Sequence, residues 1–262
     1  MKNTFWSVIL ILLTAVVSSA QTSLYLPQFV DGRPDANSLS WGTIIYVTNP
    51  ASLGSGSATV TIALTKDSGT ALNLPFTDET GTPVNNTFQV TGGQTKYLFS
   101  PSNGHPLIPL NVGYATVTSS LPVNAGLIFI EYAAGGGNPI SEAGVPTALP
   151  LTRQVIPAVQ MTNPLPGTYA VSTGVAVANP GSSPATVTFQ LLNGTGGAVA
   201  VSATRTLDGY NHTAFFVSEL FPSAPSTVFG SMRITSDLPI VTTALVFTGP
   251  GLFSTLPVLP LP

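Results

Sequence analysis

Ala58-Thr59-Val60-Thr61-Ile62-Ala63-Leu64 and, 127 residues further on, Ala185-Thr186-Val187-Thr188-Phe189-Gln190-Leu191 decide how this chain is read. In both, apolar residues (Val60, Ile62, Leu64; Val187, Phe189, Leu191) alternate with Thr, Ala or Gln. Successive side chains of a strand point to opposite faces, so a period of two describes a strand with one face in a core. The likeness extends outward from these stretches in both directions. Leu26-Pro27-Gln28-Phe29 answers Ile156-Pro157-Ala158-Val159, and Ile45-Tyr46-Val47-Thr48-Asn49-Pro50 answers Val175-Ala176-Val177-Ala178-Asn179-Pro180. Further on, Val117-Thr118-Ser119-Ser120-Leu121-Pro122-Val123 answers Ile234-Thr235-Ser236-Asp237-Leu238-Pro239-Ile240, and Leu149-Pro150 answers Leu259-Pro260. Matches in the same order along both halves describe an internal duplication.

The offset between the copies falls from 130 residues at the Asn-Pro pairs to 127, 117 and 110 at successive matches. The first copy therefore carries three insertions: at Ala51 to Gly56, between about Asn73 and Val112, and around Gly135 to Glu142. Inserted loops on a rigid scaffold are where two copies can diverge in function. Other segments, such as Tyr97 to Phe99, Tyr114 to Thr118 and Gly126 to Tyr132, are rich in β-branched or aromatic residues, and turn residues bound most of them. Helix signals are confined to one turn at Ser218-Glu219-Leu220-Phe221 ahead of Pro222. The expected fold class is all-β: two tandem antiparallel β-sandwich domains, residues 21–150 and 151–262, following a signal peptide at 1–20. Asn49-Pro50 and Asn179-Pro180 are expected to end strands, and Leu121-Pro122 and Leu238-Pro239 to mark bends between consecutive strands.

The signal peptide is read from Lys2, the apolar run Phe5 to Val17 and the small residues Ser18-Ser19-Ala20. Cleavage is expected near Ala20-Gln21, giving a secreted, periplasmic or surface-located chain, and no later segment is apolar for long enough to span a bilayer as a helix. Only 6% of residues are charged, against about 25% in an ordinary domain. Seven basic residues against ten acidic give a net charge of -3, too few cations for a run of phosphates, so nucleic acid is not an expected partner. With no cysteine, disulfides, thiolate metal sites and cysteine nucleophiles are excluded.

Candidates for chemistry are sparse. Asp31 and Asp35 flank Gly32-Arg33-Pro34 and could offer carboxylates to a hard cation, although a solvated turn with an internal Asp-Arg pair accounts for the same residues. Asp78 and Glu79 lie in the second insertion, Glu142 is isolated, and these three with Trp41 are the candidate binding residues. Adjacent carboxylates in a loop lack the separation that glycoside hydrolysis requires. His105 and His212 fall in turn-rich stretches and are expected to be exposed loop histidines. Glu131 lies in the strand-like Ile128-Phe129-Ile130-Glu131-Tyr132, where alternation can turn it outward. Trp41, Tyr46, Tyr97, Tyr114, Tyr132, Tyr169 and Tyr210 could build a sugar-stacking platform, but most sit in strand-like runs suited to cores or cross-strand pairs. No catalytic residue, cofactor or cofactor-binding residue is expected.

The succession of apolar strand, Asn-Pro, small residues and Ala-Thr-Val-Thr-x-x-Leu resembles the tandem immunoglobulin-like sandwich repeats of secreted and surface bacterial proteins. The resemblance implies an all-β fold and an extracellular setting, and no activity. The functional expectation is an exported, non-enzymatic protein that acts by binding or adhesion or as a structural surface component. Its partner would be an extracellular protein or polysaccharide surface, with self-association as a further outcome. A carbohydrate-binding module is the alternative, and a hydrolase with a site between the repeats is the third reading.

Overall fold

The computed structural model describes residues 22–102, 109–134, 136–162, 169–249 and 251–262; the signal segment and His105 lie outside them. In the first copy the strands are β1 (Thr22–Asp31), β2 (Ser40–Thr48), β3 (Ser57–Lys66), β4 (Ala71–Leu72), β5 (Phe76–Thr77) and β6 (Pro83–Val84). They are followed by β7 (Thr87–Thr91), β8 (Thr95–Phe99), β9 (Asn111–Ser119), β10 (Asn124–Tyr132) and β11 (Pro139–Pro146). The second copy holds β12 (Leu151–Met161), β13 (Val171–Ala178), β14 (Ala185–Asn193), β15 (Ala203–Leu207), β16 (His212–Phe216), the one-turn helix α1 (Val217–Leu220), β17 (Thr227–Thr248), β18 (Leu252–Leu256) and β19 (Leu259–Pro260).

The chain is all-β, and the ladders between its strands are antiparallel. In the first copy one sheet runs β1-β9-β3, with β4 and β7 both on β3, and the other runs β11-β10-β2-β8-β5-β6. The second copy repeats this order as β12-β17-β14-β15 and β18-β17-β13-β16, because the long β17 belongs to both sheets. Register follows the duplication: Tyr46 lies between Gly126 and Tyr97, as Ala176 lies between Thr243 and Ala214. Beyond an irregularity between Leu26 and Phe29, which shifts the sequence match by one residue, Val30 faces Val112 as Val159 faces Phe229. The sheets curl toward each other, near-barrel fashion, where Gly32 bridges Trp41 and where Gln160 and Met161 pair with Ser172 and Val171. The first two strands of each copy thus lie in different sheets except at this corner, whereas immunoglobulin domains pair theirs in one sheet.

Leu121-Pro122 separates β9 from β10, and Leu238-Pro239 lies inside β17, where pairing passes from β12 and β14 to β13 and β18. The second insertion holds β5 and β6, which extend one sheet beyond β8, whereas β4 has a counterpart in the Leu192–Ala198 bridge. Each core is filled by the alternating residues of the opening stretches: Val60, Ile62 and Leu64 in the first, and Val187, Phe189 and Leu191 in the second. Burying one such side chain contributes about 1.5–3 kcal/mol. Leu245 and Phe253 of the second copy join the first core, so the copies share apolar packing.

The Asn-Pro pairs do more than end strands. Asn49 is buried, its Nδ2 donating to the Val90 carbonyl at 3.0 Å and its Oδ1 accepting from Ala51 N at 3.1 Å. Asn179 repeats this, donating to Leu207 O at 3.1 Å, Asp208 O at 3.1 Å and Ser183 O at 2.7 Å, and accepting from Gly181 N at 3.0 Å. Each amide ties the end of the second strand to the hairpin opposite. A second duplicated device is close backbone approach: a Cβ on Gly113 or Gly230 would lie 1.9 Å from the carbonyl oxygen of Thr65 or Leu192.

Asn179→Ala should therefore leave buried carbonyls unpaired and cost about 1–3 kcal/mol in urea unfolding. Asn179→Asp should be no better, because a carboxylate cannot donate to those carbonyls. Wild-type stability in both variants would show that the amide does not hold the corner.

Candidate binding face

The outer face of the first copy's β11-β10-β2-β8 sheet is set by parity. Thr43, Ile45 and Val47 point inward, so Ile44, Tyr46 and Thr48 point outward, each only half-buried. Across the strands the register aligns three rows: Phe99–Ile44–Ile128–Gly144, Tyr97–Tyr46–Gly126–Pro146 and Thr95–Thr48–Asn124. Tyr46 and Tyr97 have ring centroids 6.3 Å apart and an interplanar angle of 47°. A Cβ on Gly126 would lie 2.2 Å from the Tyr46 hydroxyl oxygen, so only glycine leaves room for that ring to lie across β10. Tyr97 is 42% exposed. The polar edge is closed by a hydroxyl bond between Thr48 and Thr95 at 2.8 Å. The result is an apolar, partly aromatic platform with a polar margin.

The same face of the second copy is covered in part: its β13 and β17 residues are buried, while Ala214 and Phe216 of β16 stay exposed. Its rows are Phe216–Gly174–Leu245, Ala214–Ala176–Thr243 and His212–Ala178–Val241. Ala178 and Val241 are fully buried, because Tyr25 of β1 and Tyr114 of β9 pack over them, and Ala176 is 5% exposed. Farther along, the two copies part into a cleft of about 450 Å³ lined by Val30, Trp41, Val112, Ala214, Phe216 and Phe247, with Gln28 and Asp67 among its polar groups.

The sequence candidates fall in separate places. Asp31 is buried and accepts from Ser102 N at 3.0 Å and Ser102 Oγ at 3.1 Å; burial pushes its carboxyl up against those hydrogen bonds. Asp35 is exposed and accepts from Ser38 Oγ at 2.8 Å and Asn37 N at 2.8 Å, bonds that hold its carboxyl low. The two are not brought together around a cation position, and Arg33 donates to the carbonyls of Ala36 and Ala134. Among the described residues no group of three or more His, Cys, Asp or Glu converges on a metal position. Trp41 packs on Phe253 at 5.3 Å and lines the cleft rather than an outer face. Asp78 locks its own turn by accepting from Thr80 Oγ1 at 2.7 Å and from Thr80 and Thr82 N, with its carboxyl held low by the Thr80 hydroxyl first. Glu79 borders a polar hollow of about 370 Å³ with Gln89, Gln94 and Lys96. Glu142 is exposed on β11, opposite Ile130.

Two expectations are corrected. His212 is no loop residue: it begins β16, is buried, stacks on Tyr114 and has its Nδ1 2.7 Å from Asp67 Oδ1 of the first copy. The partner lies 145 residues away in sequence, which no local motif discloses. Its Nε2 is buried without a partner, so the pair forms part of the seam between copies. Glu131 does not turn outward: it shares the parity of the core residues Leu127 and Phe129 and is 5% exposed. Its Oε2 has no hydrogen-bond partner and lies 3.0 Å from where a Cβ on Gly251 would sit, beneath the β17–β18 turn. Burial pushes the Glu131 carboxyl up to about 7.

No family model matches the chain, and no curated protein matches it either. Among solved structures, the crystal structure of allantoicase from Saccharomyces cerevisiae at 2.40 Å shows 10% identity over 88% of this chain and 80% of that one, at a TM-score of 0.20. No helix among the described residues is long and apolar enough to cross a membrane.

A carboxyl raised from 4.5 to about 7 binds its proton more tightly in the folded state. Its contribution to stability is therefore greatest below pH 4.5 and is lost as pH rises through 7, by at most about 3 kcal/mol. Glu131→Gln, which keeps the neutral shape, should flatten this fall between pH 5 and pH 8 and raise the melting temperature at pH 8. Parallel wild-type and variant melting curves across that range would contradict it.

Proposed function

We propose that the chain is an exported, non-catalytic binding protein, built of two tandem antiparallel β-sandwich domains at 21–150 and 151–262, that acts at a surface outside the cytoplasm. The observation that carries this reading is the open Tyr46–Tyr97 platform on a face that the second copy buries in part. An apolar face with a hydroxyl and amide margin suits a neutral partner, and neutral partners are what a chain with 6% charge can meet without desolvating ions. The acidic groups support the same reading. Asp31, Asp35 and Asp78 accept bonds from their own or nearby turns, Asp237 accepts from Thr186 N at 2.7 Å, and Glu219 accepts from Phe216 N at 2.7 Å at the start of α1. The Asp67–His212 pair has its imidazole sealed from solvent, where no substrate could reach it.

The tyrosine pair also favours a second reading, carbohydrate binding. Aromatic faces stack on the C–H faces of sugars, and Thr48, Thr95 and Asn124 stand beside the rings to meet hydroxyls.

Expressed with its first twenty residues, the chain should be recovered outside the cytoplasm with Gln21 at its N-terminus by Edman sequencing; cytoplasmic chain retaining Met1 would overturn the export reading. A Tyr46→Ser/Tyr97→Ser variant should keep the wild-type melting temperature and lose about tenfold in retention on the envelope of producing cells, equivalent to about 1.4 kcal/mol. Equal retention would sink the platform as the binding face. A glycan panel blank for the wild type would remove the sugar reading.

A further inference from the structure

Within the chain, the copies meet by unlike faces. The first copy contributes the outer face of β1 and β9 (Tyr25, Val30, Val112, Tyr114), and the second the outer face of β13, β16 and β17 (Ala176, Ala178, His212, Val241). Because register is duplicated, each face has a counterpart left over. The counterpart of the β1–β9 face is on β12 and β17, where Phe229 stands in the place of Val112, Val159 in that of Val30 and Ser231 in that of Tyr114. Phe229 is 61% exposed and Ser231 half-buried, whereas their counterparts Val112 and Tyr114 are half-buried and 2% exposed. The counterpart of the buried second-copy face is the open platform of Ile44, Tyr46, Tyr97 and Ile128.

We propose that the unpaired β12–β17 face of one molecule docks on the open platform of a second copy of this chain, repeating between molecules the contact made within one. This rests on the binding-face reading above and names its partner. Side-chain size and polarity support that partner over an unrelated one. In the internal contact the bulky Tyr114 sits over the apolar Ala178 and Val241; in the external one the small, polar Ser231 would meet Thr48 and Asn124 at the same register positions. Conversely, Val112 lines the internal cleft opposite small Ala176 and Ala214, and exposed Phe229 would meet the larger Tyr46 and Tyr97. The bulk therefore shifts from one row to the other: Phe229, Tyr46 and Tyr97 would fill with rings the space that the internal contact leaves as a cleft, ring stacking on ring. A contact between unlike faces leaves each molecule one face of each kind, so it propagates beyond a dimer.

Two charged substitutions at exposed positions test this without opening a core: Tyr97→Lys blocks the platform, and Phe229→Lys blocks the opposite face. Sedimentation velocity of purified wild type should show species beyond a dimer growing with concentration. Each variant alone should stay monomeric with a wild-type melting temperature, and an equimolar mixture should give one discrete dimer, because each variant keeps the face that the other lacks. A wild type monomeric at every concentration would overturn the proposal, as would Phe229→Lys self-association equal to wild type, which would mean that the platform pairs with itself. Monomeric wild type still retained on the envelope through Tyr46 and Tyr97 would sink the second copy as partner while leaving the binding-face reading standing.

Discussion

An antiparallel strand has two faces, and where one belongs to a core, the chemistry of the other decides what the sheet can touch. Here the outer faces carry Thr, Ala, Gly, Ile and Tyr almost without charge, in a chain with 6% charged residues overall. Ionic side chains resist burial, and sheets commonly use them to remain apart. Without them, the outer face of β13 and β17 could be buried under Tyr25 and Tyr114, which joins the two copies into one packed unit. The rest of the molecule follows from that contact: the cleft, the sealed His212, the capped Glu131 and the asymmetry between buried and open faces.

The duplicated frame survives this asymmetry because its register is pinned inside each copy. Asn49 and Asn179 anchor the second strand to a hairpin, and Gly113 and Gly230 admit a neighbouring carbonyl where a Cβ would collide. A slip of one residue would exchange inner and outer faces, so such pins preserve the identity of both. With inner faces held alike, the copies diverged on their outer faces, Tyr46 and Tyr97 against Ala176 and Ala214. They also diverged in the insertion that lays β5 and β6 beyond β8.

The ionisable groups near the seam illustrate the energetics of a charge-poor protein. Asp67 reaches across to an imidazole with no access to water, and Glu131 lies under a glycine turn with one oxygen unpartnered. A neutral carboxyl is tolerated there where a carboxylate would be expensive.

Much of the fold was legible in the residues alone, because it rests on local periodicity and on its repetition. Alternation in Ala58–Leu64 and Ala185–Leu191 marked strands and their inner faces, and the shrinking offset located the insertion that holds β5 and β6. Parity also implied that Ile44 and Tyr46 face out once Ile45 and Val47 face in, so half of the candidate platform could be read from one strand. The other half could not. Tyr97 joins Tyr46 through a pairing between strands distant in sequence, and Asp67 reaches His212 across 145 residues. Glu131 was misjudged because alternation gives two faces without saying which one is inside. By itself, then, the sequence determined the strands, their duplication and a surface poor in charge, since these depend on near neighbours and composition. Only the tertiary structure decided which of two equivalent faces is covered and which is open, because that depends on how one copy packs against the other.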